Sequence, residues 1–175
     1  HWLKQNLLLP KDADEQIAMR KPGSHGLAFL PFLAGERSTG YHETATGSIL
    51  GLTSATEPVD ILHAALESVA FRFAEIFERI NSVVKVKAVV ASGGALRESA
   101  VWTQIIADVL GRDLVINNVS ESSSRGAVLL ALESIGKIES IKQISEHDND
   151  LVKCDRTRFD LYRQARKRHA DANKL

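Results

Sequence analysis

The chain has one cysteine, Cys154, so no internal disulfide can staple it, and it carries no C-x-x-C pair and no His-rich cluster of familiar metal-ligand spacing. That usage fits a reducing, cytosol-like compartment. Net charge is missing as well: 22 Lys and Arg balance 22 Asp and Glu, which removes the electrostatic case for nucleic acid or an anionic membrane as the main partner. No apolar run approaches the roughly 20 residues a bilayer span needs, and the amino terminus lacks the basic-then-apolar order of a signal peptide. The two tryptophans lie too far apart for a stacking platform, and neither a G-x-S-x-G elbow nor an H-E-x-x-H pair occurs. An initiator methionine is also missing. The chain opens HWLKQN, which reads as the interior of a helix and gives the expectation that something upstream has been removed.

What is present is ordinary globular material: 175 residues, 44% hydrophobic and 25% charged, enough apolar mass for one compact domain over 1–175. Trp2, Leu3 and Leu7 recur at helical spacing until Pro10, and the polar stretch to Gly23 reads as loop with one helical turn. GLAFLPFL at 26–33 and SILGLT at 48–53 read as strands, and Pro58 opens a helix over 58–81. Its core face is expected at Leu62, Leu66, Val69, Phe73, Phe77 and Ile80, with Glu75 and Arg79 paired on the wet side. A strand at 86–92, a helix around Trp102, Ile105, Ile106 and Val109 closed by Gly111, and a short strand DLVI follow. A Ser-rich turn at 120–124 then feeds a serine-capped helix ending at Gly136, and a last amphipathic helix turns Phe159, Tyr162 and Ala165 inward. RQARKRH at 163–169 reads as a solvated helix face. The alternation of strands and helices predicts an α/β layer structure.

Four stretches could carry chemistry. In VVASGGALRES, at 89–99, a buried strand stops at Gly93-Gly94 and gives way to a helix. Glycine lacks the Cβ that would obstruct an approaching ligand, and open α/β sheets bind ligands at strand carboxyl ends. The pair therefore either cradles a nucleotide or makes only a tight turn; it is neither G-x-x-x-x-G-K-S/T nor G-x-G-x-x-G. The loop AGERSTGYHETATG at 34–47 offers Glu36-Arg37, which binds a substrate or locks the loop, and His42-Glu43, half of a general-base arrangement. Gly126 and Ala127 open a helix where a nucleotide or a packed backbone could approach closely. Cys154 reads as a half-buried apolar residue with no feature that would lower its thiol pKa.

Taken in order, these stretches resemble the carboxyl-terminal domain of the FGGY family of carbohydrate kinases. The most specific match is GSILGLTSATEPVDILHAALE: Gly47, Ile49, Gly51 and Leu52, seven residues, Asp60-Ile61, two residues, then Ala64-Ala65-Leu66-Glu67. FLPFLAGERS resembles the family's P-x-x-x-G-E-R-x-P loop, SGGALRESAVWTQIIADVLGRDL its glycine-pair and W-x-Q-x-x-A-D-x-x-G segment, and SRGAVLLAL its small-residue helix. The loop resembles gluconokinase-type members first and xylulokinase-type members second. Departures are Thr39 where the family usually has proline, Tyr41-His42 where Trp-Asp is common, and Glu98 where Asn or another polar residue is usual.

The resemblance implies an actin-like, ribonuclease-H-like ATPase domain, a mixed sheet flanked by helices and incomplete at its amino-terminal side. It implies nucleotide contacts at Gly93, Gly94, Ala95 and Glu98, with ATP and Mg as cofactors of the complete kinase. The family's aspartate general base and main phosphate loop lie in segments that do not occur after His1, so no catalytic residue and no metal site is expected in this chain. The expected partners are a sugar, ATP and a missing amino-terminal kinase domain, with a homodimer allowed and a cytoplasmic location; nucleic acid and membranes are not expected. A stand-alone nucleotide-binding module and another actin-like ATPase remain the rival readings.

Overall fold

The computed structural model describes residues 2–119, 121–144 and 149–172. The chain begins with α1 (Trp2–Asn6) and α2 (Ala13–Met19). The second is a two-turn helix where the sequence reading allowed a single turn. Asp14 and Glu15 complement the dipole of its first turn, and Ile17 is completely buried. Strands β1 (Ala28–Leu30) and β2 (Ser48–Leu50) pair antiparallel, with Phe29 opposite Ile49.

Helix α3 (Pro58–Val83) starts where Pro58 predicts it. Glu57 and Asp60 form a reciprocal capping box ahead of its first turn. Strand β3 (Val89–Ala91), the short α4 (Gly94–Glu98), α5 (Ala100–Leu110) and β4 (Leu114–Ile116) then form a parallel crossover unit. After α6 (Ser122–Ser134) and a 3-10 turn at Ile141–Gln143, β5 (Asp150–Val152) joins β4 antiparallel, and α7 (Arg156–Ala172) closes the described chain. The order β3-β4-β5 makes the mixed sheet that was expected. Helices α3, α5 and α7 pack together around Ala70, Phe71, Ala74, Ile105, Ile106, Leu114, Tyr162 and Ala165. Gly111 takes the left-handed conformation that ends α5 (φ 62°), and the Phe159 ring lies so close that a Cβ there would sit 2.6 Å from it. No helix among the described residues is long and apolar enough to cross a membrane.

Three expectations need correction. The buried face of α3 is not centred on the large apolar residues: His63, Ala64, Ala65, Glu67, Ser68, Ala70, Phe71 and Ala74 are buried. Leu62, Leu66, Val69 and Phe77 are only half-buried, and Phe73 and Ile80 are exposed at 39% and 53%. Small residues let neighbouring elements approach closely there, so that stripe rather than the greasier one faces inward. Helix α6 is capped at Glu121 without a side-chain bond; Ser122 Oγ instead donates to the Val119 carbonyl, and Ser120 lies outside the described residues. RQARKRH is only partly solvated. Arg166 forks onto Glu78 through Nη2 at 2.7 Å, and His169 Nε2 meets the Phe29 carbonyl at 2.8 Å, where burial lowers its pKa against the pull of that carbonyl. Strand β5 carried no sequence expectation at all.

Candidate nucleotide-facing site

Strand β3 ends at Ala91, and the chain turns through Gly93 (φ 110°, ψ 151°) into α4. The inner side of this turn is pinned. Thr103 Oγ1 donates to the Leu96 carbonyl (2.7 Å) and is 3.0 Å from the Ser99 carbonyl, Ser99 caps α5 by accepting from the Trp102 amide, and Ser99 Oγ donates to Asp14 (2.9 Å). The outer side is bare. Gly93, Gly94, Ala95 and Glu98 are all exposed, and a Cβ built at Gly93 or Gly94 meets nothing within 4 Å. A rigidly held backbone turn with an open outer surface at a strand's carboxyl end can take a flat ligand against its main chain. Gly126 is equally open, and α6 buries none of its residues, so the close packing considered for Gly126-Ala127 does not occur within the described chain.

The 34–47 loop is held by α3. Glu36 is buried and paired with Arg72, which also reaches Glu75 Oε2 at 2.7 Å and the Ser38 carbonyl at 2.8 Å and stacks over Phe32. Glu75 in turn accepts from Thr39 at 2.5 Å and pairs with Arg79 at 3.0 Å, the pair read from the sequence. Glu36 therefore locks the loop, through Arg72 rather than through its neighbour Arg37. Arg37, Tyr41, His42 and Glu43 are exposed, and His42 serves the loop through its backbone carbonyl, which accepts from the Glu36 and Ala45 amides. Cys154 is half-buried, and burial raises its thiol pKa.

The sequence reading missed a buried trio. Glu67 on α3 is 1% exposed; its Oε1 accepts the Gly23 amide (2.9 Å) and lies 3.0 Å from His63 Nε2, while Oε2 lies 3.1 Å from His25 Nε2. Burial alone would lift the Glu67 pKa, but hydrogen bonding and charge from His25 and His63 outweigh it and hold it down to about 2. The three residues have metal-ligand spacing, their ligand atoms lying within 4.8 Å of one another. His25 Nδ1, however, accepts the Leu27 amide at 3.0 Å, which fixes the ring proton on Nε2, facing Glu67. A protonated Nε2 has no lone pair for a cation, so His25 and Glu67 form a hydrogen-bonded brace between the 23–27 turn and α3, while the buried His63 ring beside them makes no aligned hydrogen bond through either nitrogen. The signal was visible: His63 and Glu67 stand four residues apart, on one face of a helix.

Strand β3 of the mixed three-stranded sheet thus ends in an open glycine turn, and α3 carries a buried carboxylate. Residues 1–134 match the C-terminal domain of the FGGY family of carbohydrate kinases, and the chain belongs to that family. It is 36% identical over 140 residues to a gluconokinase of Bacillus subtilis, covering 78% of this chain and 27% of that protein. In fold it is similar to a gluconate kinase from Lactobacillus acidophilus (TM-score 0.81, 23% identity, 99% of this chain and 36% of the other). It is also similar to a Plasmodium falciparum glycerol kinase solved with ADP (TM-score 0.76, 21% identity, 99% and 36%). The chain thus spans roughly a third or less of the length of these relatives.

Proposed function

We propose that residues 1–175 form the adenosine-side portion of an ATP-dependent carbohydrate kinase whose acceptor is a gluconate-like sugar acid, with a xylulose-like ketose as second choice. The observation that carries this reading is the bare, pinned turn at Gly93-Gly94, in a chain whose family phosphorylates carbohydrates and which is 36% identical to a gluconokinase. The main chain at Gly93, Gly94 and Ala95 would lie against the adenosine, with Glu98 at the edge of that contact. Adenosine fits there, since the open surface accepts a flat ring system without moving a side chain.

Mg²⁺ fits this chain poorly. It demands oxygen ligands in octahedral array, and the described residues gather no carboxylate cluster of that kind, the one ligand-spaced trio having two imidazoles and a single carboxylate. In this reading the metal, the phosphate grip and the aspartate that takes the proton from the sugar hydroxyl belong to the kinase polypeptide outside 1–175. General-base removal typically lowers rates 10²- to 10⁴-fold, and loss of sugar positioning lowers them further. Residues 1–175 alone are therefore expected to be inactive. A cytoplasmic location, where ATP is available, goes with this reading.

The test is the complete polypeptide containing this chain, assayed for ADP release with a panel of sugars and sugar acids. Gluconate is expected to give the highest kcat/KM and xylulose the next. No sugar-dependent ADP release with any member of the panel would overturn the kinase reading.

A further inference from the structure

At the end of the sheet away from the glycine turn, cationic side chains from three separate segments line one small, mostly polar pocket. It measures about 230 Å³, and its walls include Lys87, Arg112, Arg156 and Asp113 together with Gly111 and Phe77. Lys87 lies two residues ahead of β3, Arg112 two residues ahead of β4, and Arg156 opens α7. The two strands run parallel with Val89 beside Leu114, so carrying the register back sets Lys87 beside Arg112. Gly93 lies past the other end of β3, roughly 20 Å from Lys87 along the strand direction at about 3.3 Å per residue.

The backbone under these cations is pinned by bonds that leave their charged groups free. Asn81 Oδ1 accepts the Val86 amide at 3.0 Å, which fixes the approach to Lys87. The Gly111 and Arg112 amides donate back to the Asp108 and Ala107 carbonyls. Asp113 Oδ1 accepts the Cys154 amide at 2.9 Å and Asp108 Oδ1 the Asp155 amide at 2.8 Å, so the residues just ahead of Arg156 are tied to the turn that carries Arg112. The Arg112 guanidinium itself lies 5.8 Å from the centre of the Phe77 ring.

Elsewhere in the chain arginines meet acids: Arg20 meets Asp60, Arg72 meets Glu36, Arg158 meets Asp108 and Arg166 meets Glu78. At this pocket, among the described residues, no carboxylate forms an ion pair with Lys87, Arg112 or Arg156, and all three are exposed. Like charges set side by side repel. Asp113 is the one acid in the wall, and its Oδ1 is already taken. Unpaired cations that converge from distant segments on a rigid, polar pocket form a receptor for an anion.

We propose that this pocket binds a phosphate dianion, either free or carried by a small phosphate ester. Phosphate suits it better than a carboxylate does, because its oxygens point in several directions and can face all the cations at once, and guanidinium groups bind it through paired N–H donors. The pocket is wider than a phosphoryl group, which leaves room for a short polar body whose hydroxyls Asp113 Oδ2 would accept. The site lies at the opposite end of β3 from the turn assigned to adenosine, so it is separate from that contact and does not rest on the kinase reading.

The test is calorimetric titration of inorganic phosphate and of glucose 6-phosphate into the complete polypeptide containing this chain, into its Lys87→Gln/Arg156→Gln variant and into a charge control, Lys85→Gln. Lys85 is exposed but does not line the pocket. Both phosphates are expected to bind the wild type and the control alike, and the double variant is expected to bind them roughly tenfold or more weakly. Neither substituted side chain has an acidic partner to lose, so the Tm without phosphate should be the same in all three proteins. Tighter binding of glucose 6-phosphate assigns the pocket to an ester, and tighter binding of inorganic phosphate assigns it to the free ion; either order supports a phosphate site. Equal affinity in the wild type and the double variant would overturn the inference. An equal loss in Lys85→Gln would overturn it too, since diffuse attraction rather than a site would then account for the binding. No binding of either compound at millimolar concentration would do the same. None of these readouts depends on turnover, so failure of the kinase reading and failure of this site are told apart.

Discussion

Replacing Glu67 with alanine is expected to destabilise the chain by roughly 3–5 kcal/mol, because it leaves buried donors unsatisfied at about 1–3 kcal/mol each and removes buried packing as well. In a protein of this size about 2–4 °C of Tm goes with each kcal/mol, so thermal unfolding followed by circular dichroism should show a fall of roughly 6–20 °C. The effect is large because the carboxylate is fully enclosed and serves two donors at once. Its loss strands the Gly23 amide and leaves the buried His25 imidazole without its acceptor. The pH dependence has a definite sign. A carboxyl group whose ordinary pKa is 4.5 titrates in the folded chain at about 2. Its contribution is therefore complete above the unfolded value and is lost as pH falls from 4.5 through about 2. The wild-type chain should show that acid loss, and Glu67→Gln should show less of it. A Glu67→Ala shift smaller than 2 °C would mean that Glu67 does not brace the 23–27 turn.

Asp108→Ala comes second, at roughly 2–3 kcal/mol in urea unfolding. Asp108 is completely buried, and it holds α5 to the start of α7. Oδ1 accepts Gln104 Nε2 and the Asp155 amide, both at 2.8 Å, and Oδ2 accepts Arg158 Nε at 3.1 Å. Burial raises its pKa, and those three donors only partly oppose the rise. The expected loss is smaller than for Glu67 because Arg158 keeps 22% of its side chain in water and can rehydrate. A double-mutant cycle of Asp108→Ala with Arg158→Met should give a coupling of about 1 kcal/mol or more. Additive losses would contradict a direct pairing of the two side chains.

Much of the fold was legible because its signals are local. Pro58 marks the start of α3 and Gly111 the end of α5, and the apolar runs around Phe29, Val90 and Val115 are strands. What stayed hidden depends on partners distant in sequence. The stripe that α3 buries is chosen by the elements packed on it, which is why Ala70 and Ala74 face inward while Phe73 and Ile80 do not. The i, i+4 spacing of His63 and Glu67 is visible, but their burial follows only once His25 and the Gly23 amide, some 40 residues upstream, are placed beside them. Strand β5 has three residues and no pattern of its own; the β4 edge makes it a strand. In the candidate site the glycine turn was visible from the sequence, but its open outer face was not.

The central claim is that the Gly93-Gly94 turn faces the nucleotide. It is tested most directly by titrating ADP calorimetrically into the complete kinase and into its Gly94→Val variant. Beyond its chain neighbours and its own helix backbone, no atom of the described residues lies within 4 Å of a Cβ at Gly94, so the side chain enters open space and the fold is expected to be undisturbed. A loss of affinity of at least tenfold, about 1.4 kcal/mol, is expected. Equal affinity for ADP in the two proteins would contradict the account.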